Sequence, residues 1–189
     1  MLFRSDIWFV NVNGDDVIND FDRTVIGNPQ PDFIFGFNNQ FGYKNFDLSI
    51  FFQGSYGNDI WNGVRVSHEG MESTYNQFTS TLNRWNGEGS SNTMPRAIYA
   101  DPNRNNRAST RWVEDGSYLR LKNLTFGYRF TQDWLKKIGA KSLRLYLSFD
   151  NLWTLTNYSG LDPEVGLWGL DYGIYPTSRV YMFGASVKF

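Results

Sequence analysis

The densest run of oxygen-bearing side chains is Asn11-Val-Asn-Gly-Asp-Asp-Val-Ile-Asn-Asp-Phe-Asp22. Counted as a loop, it puts Asn11, Asn13, Asp15, Asn19 and Asp22 at positions one, three, five, nine and twelve, with the Val17 carbonyl at seven. That is the spacing with which a tight loop surrounds calcium, a hard cation that takes oxygen ligands. Two positions depart from it. A neutral Asn stands first, and Asp16 takes the sixth place, where glycine usually makes the turn. Aspartate enters left-handed backbone more readily than most residues, so the turn remains open to it. The competing reading is an Asx-rich surface turn closed by its own side chains. Other chemistry is sparse. His68 is the single histidine and there is no cysteine, which removes disulfides, thiolate metal sites and cysteine nucleophiles. No Gly-x-Ser-x-Gly elbow accompanies His68. Glu114 and Asp115 are neighbours whose side chains diverge on extended backbone. The sequence therefore predicts no enzyme and places His68 in a solvated loop.

A second available chemistry is stacking. Trp61, Trp168, Tyr158 and Tyr172 fall in long connections between periodic segments. Planar rings accept the C–H faces of sugars and anchor peptide side chains, so these four are the expected substrate contacts. Two other readings stay open: an aromatic girdle at a lipid interface, which suits Trp153 after a strand, and packing within the loops.

The elements that must carry these residues alternate with period two. They run from Asp32 to Tyr43, Asn45 to Ser55, Ser117 to Phe130, Lys141 to Leu152, and Thr177 to Phe189. Successive side chains on a strand point to opposite faces. The last segment sets Arg179, Tyr181, Phe183, Ala185, Val187 and Phe189 against Ser178, Val180, Met182, Gly184, Ser186 and Lys188. In the third, Arg120 and Lys122 share a parity with Leu124, Phe126 and Tyr128, so either the strand begins in water or a bulge switches its faces. Connections alternate too: Lys44-Asn45 is short, 56–116 long, 131–140 modest and 153–176 long. The first long one is expected to hold a helix from about Met71 to Trp85, because Tyr75, Phe78, Leu82 and Trp85 recur at helical spacing.

Aromatic residues form 18% of the 189, yet mean hydropathy is −0.46 and no apolar run is long enough for a membrane helix. Aromatic-rich strands with one polar face, joined by alternately short and long loops, describe an outer-membrane β-barrel. A net charge of −1 gives no basic field for nucleic acid. Five strands cannot close a barrel, whose smallest members have about eight. Strands from the rest of a longer polypeptide are expected to complete it. The start, Met1-Leu-Phe-Arg-Ser-Asp, has no leader pattern. Inward-facing Gln53, Arg144 and Asp150 then read as lumen or plug contacts.

Several ordered blocks together resemble the C-terminal part of the SusC/RagA family of TonB-linked outer-membrane transporters. They include Asn13-Gly-Asp-Asp-Val-Ile-Asn-Asp, Asp22-Arg-Thr-Val-Ile-Gly-Asn-Pro-Gln-Pro-Asp-Phe, and Gly36 through Asp59. Arg111-Trp-Val-Glu-Asp-Gly-Ser-Tyr-Leu-Arg-Leu-Lys-Asn-Leu-Thr-Phe-Gly-Tyr, Asp150-Asn-Leu-Trp-Thr-Leu-Thr-Asn-Tyr-Ser-Gly-Leu-Asp-Pro-Glu and the Tyr175 to Phe189 ending complete the set. The resemblance implies an all-β fold, five antiparallel strands of an approximately 22-stranded barrel with a plug. It implies import of glycans or oligopeptides across the bacterial outer membrane, driven through TonB, with a SusD-like lipoprotein as lid. Residues 1–31 would be an extracellular loop and 32–189 the strands with their loops. No plug or TonB box is found in the chain. The alternative is a soluble, calcium-dependent carbohydrate-binding β-sandwich.

Overall fold

The computed structural model describes residues 5–189, apart from the side chain of Asp133; the Met1–Arg4 stretch, read above as lacking a leader pattern, lies outside them. In chain order the elements are β1 (Phe33–Tyr43), β2 (Phe46–Tyr56), β3 (Asp59–Asn62), α1 (Gly63–Glu69), β4 (Val113–Asp115), β5 (Tyr118–Phe130), α2 (Asp133–Lys136), β6 (Ser142–Thr156), β7 (Leu170–Asp171) and β8 (Val180–Lys188). They fall into two compact units. One is the sheet unit, Gln30–Asn58, Asp115–Glu164 and Ile174–Phe189. The other, the loop unit, gathers the segment ending at Pro29 with Asp59–Glu114 and Val165–Gly173.

The sheet unit is one antiparallel sheet in the order β1-β2-β5-β6-β8, with β1 and β8 as its edges. All five expected strands are present. The β1–β2 hairpin closes through Lys44-Asn45, with Tyr43 opposite Phe46. Lys44 has φ 53°, the positive angle that a two-residue hairpin needs to match strand twist. The parity break in the third segment is a bulge. Relative to β2 and β6, β5 changes register between Leu121 and Asn123. On β6 the same step spans Asp150 to Trp153, and Asn151 takes φ 52°. The bulge lets Leu119 and Leu121 share a face with Leu124, Phe126 and Tyr128 while Arg120 and Asn123 share the other.

The sheet is inverted relative to a soluble one. Its apolar face is open: Phe37, Phe41, Tyr181 and Phe183 are 57–71% exposed. Its buried side chains lie on the polar face, where Arg120 is 3% and Ser148 5% exposed. There Asn123 Nδ2 donates to Asp150 Oδ1 (2.7 Å) and Ser148 Oγ (3.1 Å). Arg144 grips Asp47 through Nε and Nη2 across β5. Gly127 lies beneath that pair, and a β-carbon there would sit 2.6 Å from Asp47 Oδ1. The sheet unit is a single five-stranded sheet, not the two facing sheets of the expected alternative, a sandwich.

The expected helix from Met71 to Trp85 is corrected. That span holds only a 3-10 turn, Thr79–Asn83, while α1 forms earlier. Ser73, Thr74, Asn76, Thr79, Ser80 and Thr81 are poor helix formers that prefer local side-chain bonds. The α1 start is marked by Asn62, whose Oδ1 accepts from Arg65 N–H at 3.0 Å.

Candidate functional site

In the loop unit, β3 lies between β4 and β7, and β3 and β7 run parallel with Trp61 opposite Leu170 and Asn62 opposite Asp171. Trp61 N–H donates to Gly169 O at 2.7 Å. The base of this arrangement is polar. Arg65 donates to Glu69 Oε2 and Glu114 Oε1, both at 2.8 Å. Asn62 Nδ2 donates to the same Glu114 oxygen at 3.1 Å, and Ser80 Oγ to Glu69 Oε1 at 2.6 Å. Fully buried Trp112 offers its ring to the Arg65 and Arg111 guanidiniums, 5.8 and 4.4 Å from its centroid. Burial works to lower the Arg65 pKa, but the bonds to Glu114 and Glu69 outweigh it and hold the value above the ordinary one. Arg111 goes the other way, lowered by burial.

This frame brings three of the four expected aromatic contacts into one unit. Trp168 is 82% and Tyr172 72% exposed. Trp61 is half-buried on β3. The Tyr172 ring rests on Gly63, where a β-carbon would lie 2.6 Å from its Cδ1. Tyr158 is the exception. It belongs to the sheet unit and is 5% exposed, packed against Gly160, so its ring offers no open surface. His68, expected in a solvated loop, instead lies half-buried on α1, with Nδ1 2.9 Å from Val64 O and its ring stacked on Phe78.

The Asn11–Asp22 loop is closed by its own side chains. Asn11 Oδ1 accepts from Gly14 N–H, Asn13 Oδ1 from Asp15 N–H and Asp15 Oδ1 from Val17 N–H. Asn13 Nδ2 donates to Asp15 Oδ2, and Asn19 Nδ2 to Val17 O. Asp22 accepts from Val12 N–H and Asn19 N–H, both at 2.8 Å. Those backbone bonds, to Asn19 first and then Val12, hold its carboxyl below the usual range. Asp16 has φ 62°, the left-handed turn that the sixth loop position needs. Among the described residues no three acidic, His or Cys groups converge as a metal cluster.

One cluster was not anticipated. On the polar face of the sheet, Arg120 Nη2 donates to Asp162 Oδ1 at 2.6 Å and Arg120 Nη1 to Glu164 Oε2 at 2.8 Å. Its Nε donates to Thr154 Oγ1 at 2.9 Å. Glu164 also receives Tyr118 OH at 2.9 Å and Lys122 Nζ at 3.2 Å. Asp162 accepts Glu164 N–H at Oδ1 and Thr177 N–H at Oδ2, which joins the outgoing and returning arms of the connection after β6. Burial works to raise the Asp162 pKa, but the Arg120 bond and these N–H groups win and hold it at about 2. The signal in the sequence was the cationic pair Arg120 and Lys122 at a parity break, together with Asp162-Pro-Glu164.

A two-faced antiparallel sheet, polar and ion-paired on one side and openly aromatic on the other, defines a stretch of β-barrel wall of the outer-membrane type. No protein-family model matches the chain. Individual proteins do. The chain is 40% identical over 192 residues to TonB-dependent receptor P3 of Formosa agariphila, covering 96% of the chain and 19% of that protein. It is 29% identical over 186 residues to TonB-dependent receptor SusC of Bacteroides thetaiotaomicron, covering 96% and 17%. The fold matches the RagAB peptide importer in its open-open state with a TM-score of 0.78 at 25% identity, over 96% of this chain and 20% of that one. Sequence and fold together place the chain in the SusC/RagA family of TonB-dependent receptors. It spans about one fifth of the length of the curated relatives it matches.

Proposed function

We propose that the chain is part of an outer-membrane importer of glycans or oligopeptides that is powered through TonB. The sheet unit supplies wall, with lipid against the Phe37, Phe41, Tyr181 and Phe183 face and the polar face toward lumen and plug. The loop unit supplies extracellular surface, where Trp61, Trp168 and Tyr172 contact cargo or a SusD-like lipoprotein lid. The single observation that carries this reading is the exposed apolar face of the sheet. A soluble domain rarely leaves so large an apolar patch uncovered, whereas lipid demands one. Relatives named TonB-dependent receptors and the RagAB peptide importer support the same reading.

Fractionation followed by uptake tests it. The full-length protein is expected in the outer-membrane fraction, extractable only by detergent. A deletion strain is expected to lose uptake of either labelled oligosaccharides or labelled oligopeptides, and the class lost names the cargo. A detergent-free, monodisperse protein, or unchanged uptake of both classes, refutes the proposal.

The Asn11–Asp22 loop carries a separate proposal, a calcium ion held by Asn11, Asn13, Asp15, Asn19 and Asp22 with the Val17 carbonyl. What supports it is the left-handed turn at Asp16 together with the oxygen spacing. Bound calcium would supply only cross-linking of the loop. Calcium titration of the intact protein is expected to release heat and raise its melting temperature; neither effect in buffer free of chelator rules the ion out.

A further inference from the structure

Asn-Gly occurs three times in the chain, at Asn13-Gly14, Asn62-Gly63 and Asn86-Gly87. The pair carries its own chemistry. The asparagine amide carbon is an electrophile within reach of the next residue's backbone nitrogen, and glycine leaves that nitrogen unshielded because it has no β-carbon. The reaction needs an amide free to turn, a backbone N–H free to lose its proton, and water at both. The fold supplies these unequally.

Asn62 is 1% exposed, and both ends of its amide are held: Oδ1 accepts Arg65 N–H at 3.0 Å and Nδ2 donates to Glu114 Oε1 at 3.1 Å. The Tyr172 ring covers Gly63. Asn13 is exposed but tied at every reacting group. Its Oδ1 accepts Asp15 N–H, its Nδ2 donates to Asp15 Oδ2, and Gly14 N–H donates to Asn11 Oδ1 at 2.6 Å. Asn86 is exposed, and among the described residues none bonds its side-chain amide or accepts Gly87 N–H. The turn is fixed through other atoms. Asn86 N–H donates to Ser90 Oγ at 2.9 Å, and Gly87 O accepts Ser90 Oγ–H at 2.6 Å and Ser90 N–H at 3.1 Å. Gly87 has φ 156°, and a β-carbon there would meet nothing within 4 Å, so the space around its nitrogen is open.

We infer that Asn86 is a self-modification site, where the Gly87 nitrogen closes on the Asn86 amide and expels ammonia. Hydroxide takes the Gly87 N–H proton, and the nitrogen's electron pair forms the bond to Asn86 Cγ. The amide nitrogen leaves as ammonia, taking a proton from water, which restores the hydroxide. The cyclic imide then adds water at either carbonyl and opens to aspartate or isoaspartate. Both products carry a carboxylate in place of a neutral amide. Isoaspartate also lengthens the backbone next to Trp85, whose N–H donates to Met94 O at 3.1 Å. The 85–94 turn therefore gains charge and loosens with the protein's age. The inference is independent of the transport reading.

Peptide mass spectrometry on the full-length protein, held folded in detergent at mildly alkaline pH, tests it. The tryptic peptide spanning 85–96 is expected to gain the mass of an amide-to-acid change and to split into aspartyl and isoaspartyl forms. Peptides carrying Asn13 and Asn62 are expected to convert at least about tenfold more slowly, the factor set by one or two net hydrogen bonds that must first open. In denaturant, where no fold protects any of them, the three rates should come within about threefold of one another, since only residual structure then separates them. Asn86→Gln, with one more methylene before its amide, should leave the 85–96 peptide unconverted while the melting temperature stays put. Conversion at Asn13 or Asn62 as fast as at Asn86 in the folded protein overturns the assignment. So does an unconverted Asn86, or a preference for Asn86 that persists undiminished in denaturant, which would trace the selectivity to sequence and not to the turn.

Discussion

Asp162→Asn is the most informative single change, because Asp162 joins β5 to both arms of the loop after β6. Its carboxyl is held at about 2 against an ordinary 3.8. That difference corresponds to about 2 kcal/mol of preference for the charged, folded form. The partner adds a second contribution. Arg120 is 3% exposed, and removing one member of a buried pair costs about 3–5 kcal/mol when nothing else compensates. Glu164 remains on Arg120 Nη1, so the expected loss is nearer the low end, about 3 kcal/mol. The sign with pH follows from the depressed value. The contribution is complete above about pH 4 and fades as pH falls toward 2. Denaturant unfolding of the full-length protein in detergent measures the loss, and hydrogen exchange over 157–177 locates it. Wild-type stability at pH 7 within about 0.5 kcal/mol, the range of neutral surface changes, would refute the reasoning. So would a double variant, Arg120→Met with Asp162→Leu, that loses the full sum of its two single variants. An ion pair replaced by apolar groups leaves no orphaned charge at its centre and should cost less than that sum.

Other changes act on the loop unit and on the exposed faces. Gly63→Ala would drive a methyl to 2.6 Å from the Tyr172 ring and 2.9 Å from Asp171 O, loosening the β3–β7 pairing by about 1–3 kcal/mol, read as faster exchange over 59–63 and 170–173. Phe183→Arg puts a charge on the 71%-exposed apolar face; if lipid lies there, folding into the outer membrane should weaken by about 2–4 kcal/mol, measured as the folded fraction. Trp168→Ala removes an 82%-exposed ring that packs on little, so cargo uptake should fall while the melting temperature stays put; a fall in melting temperature instead assigns Trp168 to loop packing. Asp22→Ala frees Val12 N–H and Asn19 N–H together and should abolish any heat of calcium binding.

The strands were legible because period-two alternation survives in each of them, and the Lys44-Asn45 hairpin because only two residues separate Tyr43 from Phe46. The parity break at Arg120 and Lys122 announced a bulge as one of two readings; register against both neighbours decided for it. Helical spacing in 71–85 misled, because Tyr75 and Leu82 are solvent-exposed and Phe78 stacks on His68 rather than lining a helix face. The real helix, Gly63–Glu69, is seven residues long and opens on glycine, so it shows no apolar period; its markers were the Asn62 cap and the Arg65–Glu69 pair. Among the aromatics, position in a long loop could not separate exposed Trp168 and Tyr172 from buried Tyr158. Burial depends on what the loop folds against, and no local pattern encodes that.

Alternating side chains, loop lengths and composition by themselves determined an antiparallel all-β wall with one polar and one aromatic face. These are local properties, repeated every second residue, and they need no partner to be read. Tertiary structure alone decided which polar residues meet. Arg120 finds Asp162 and Glu164 more than forty positions away, and Asp6 finds Arg96 ninety positions away. Such pairs form because a buried charge must be matched by whatever the folded chain brings beside it. That is a property of the packed molecule and not of any segment.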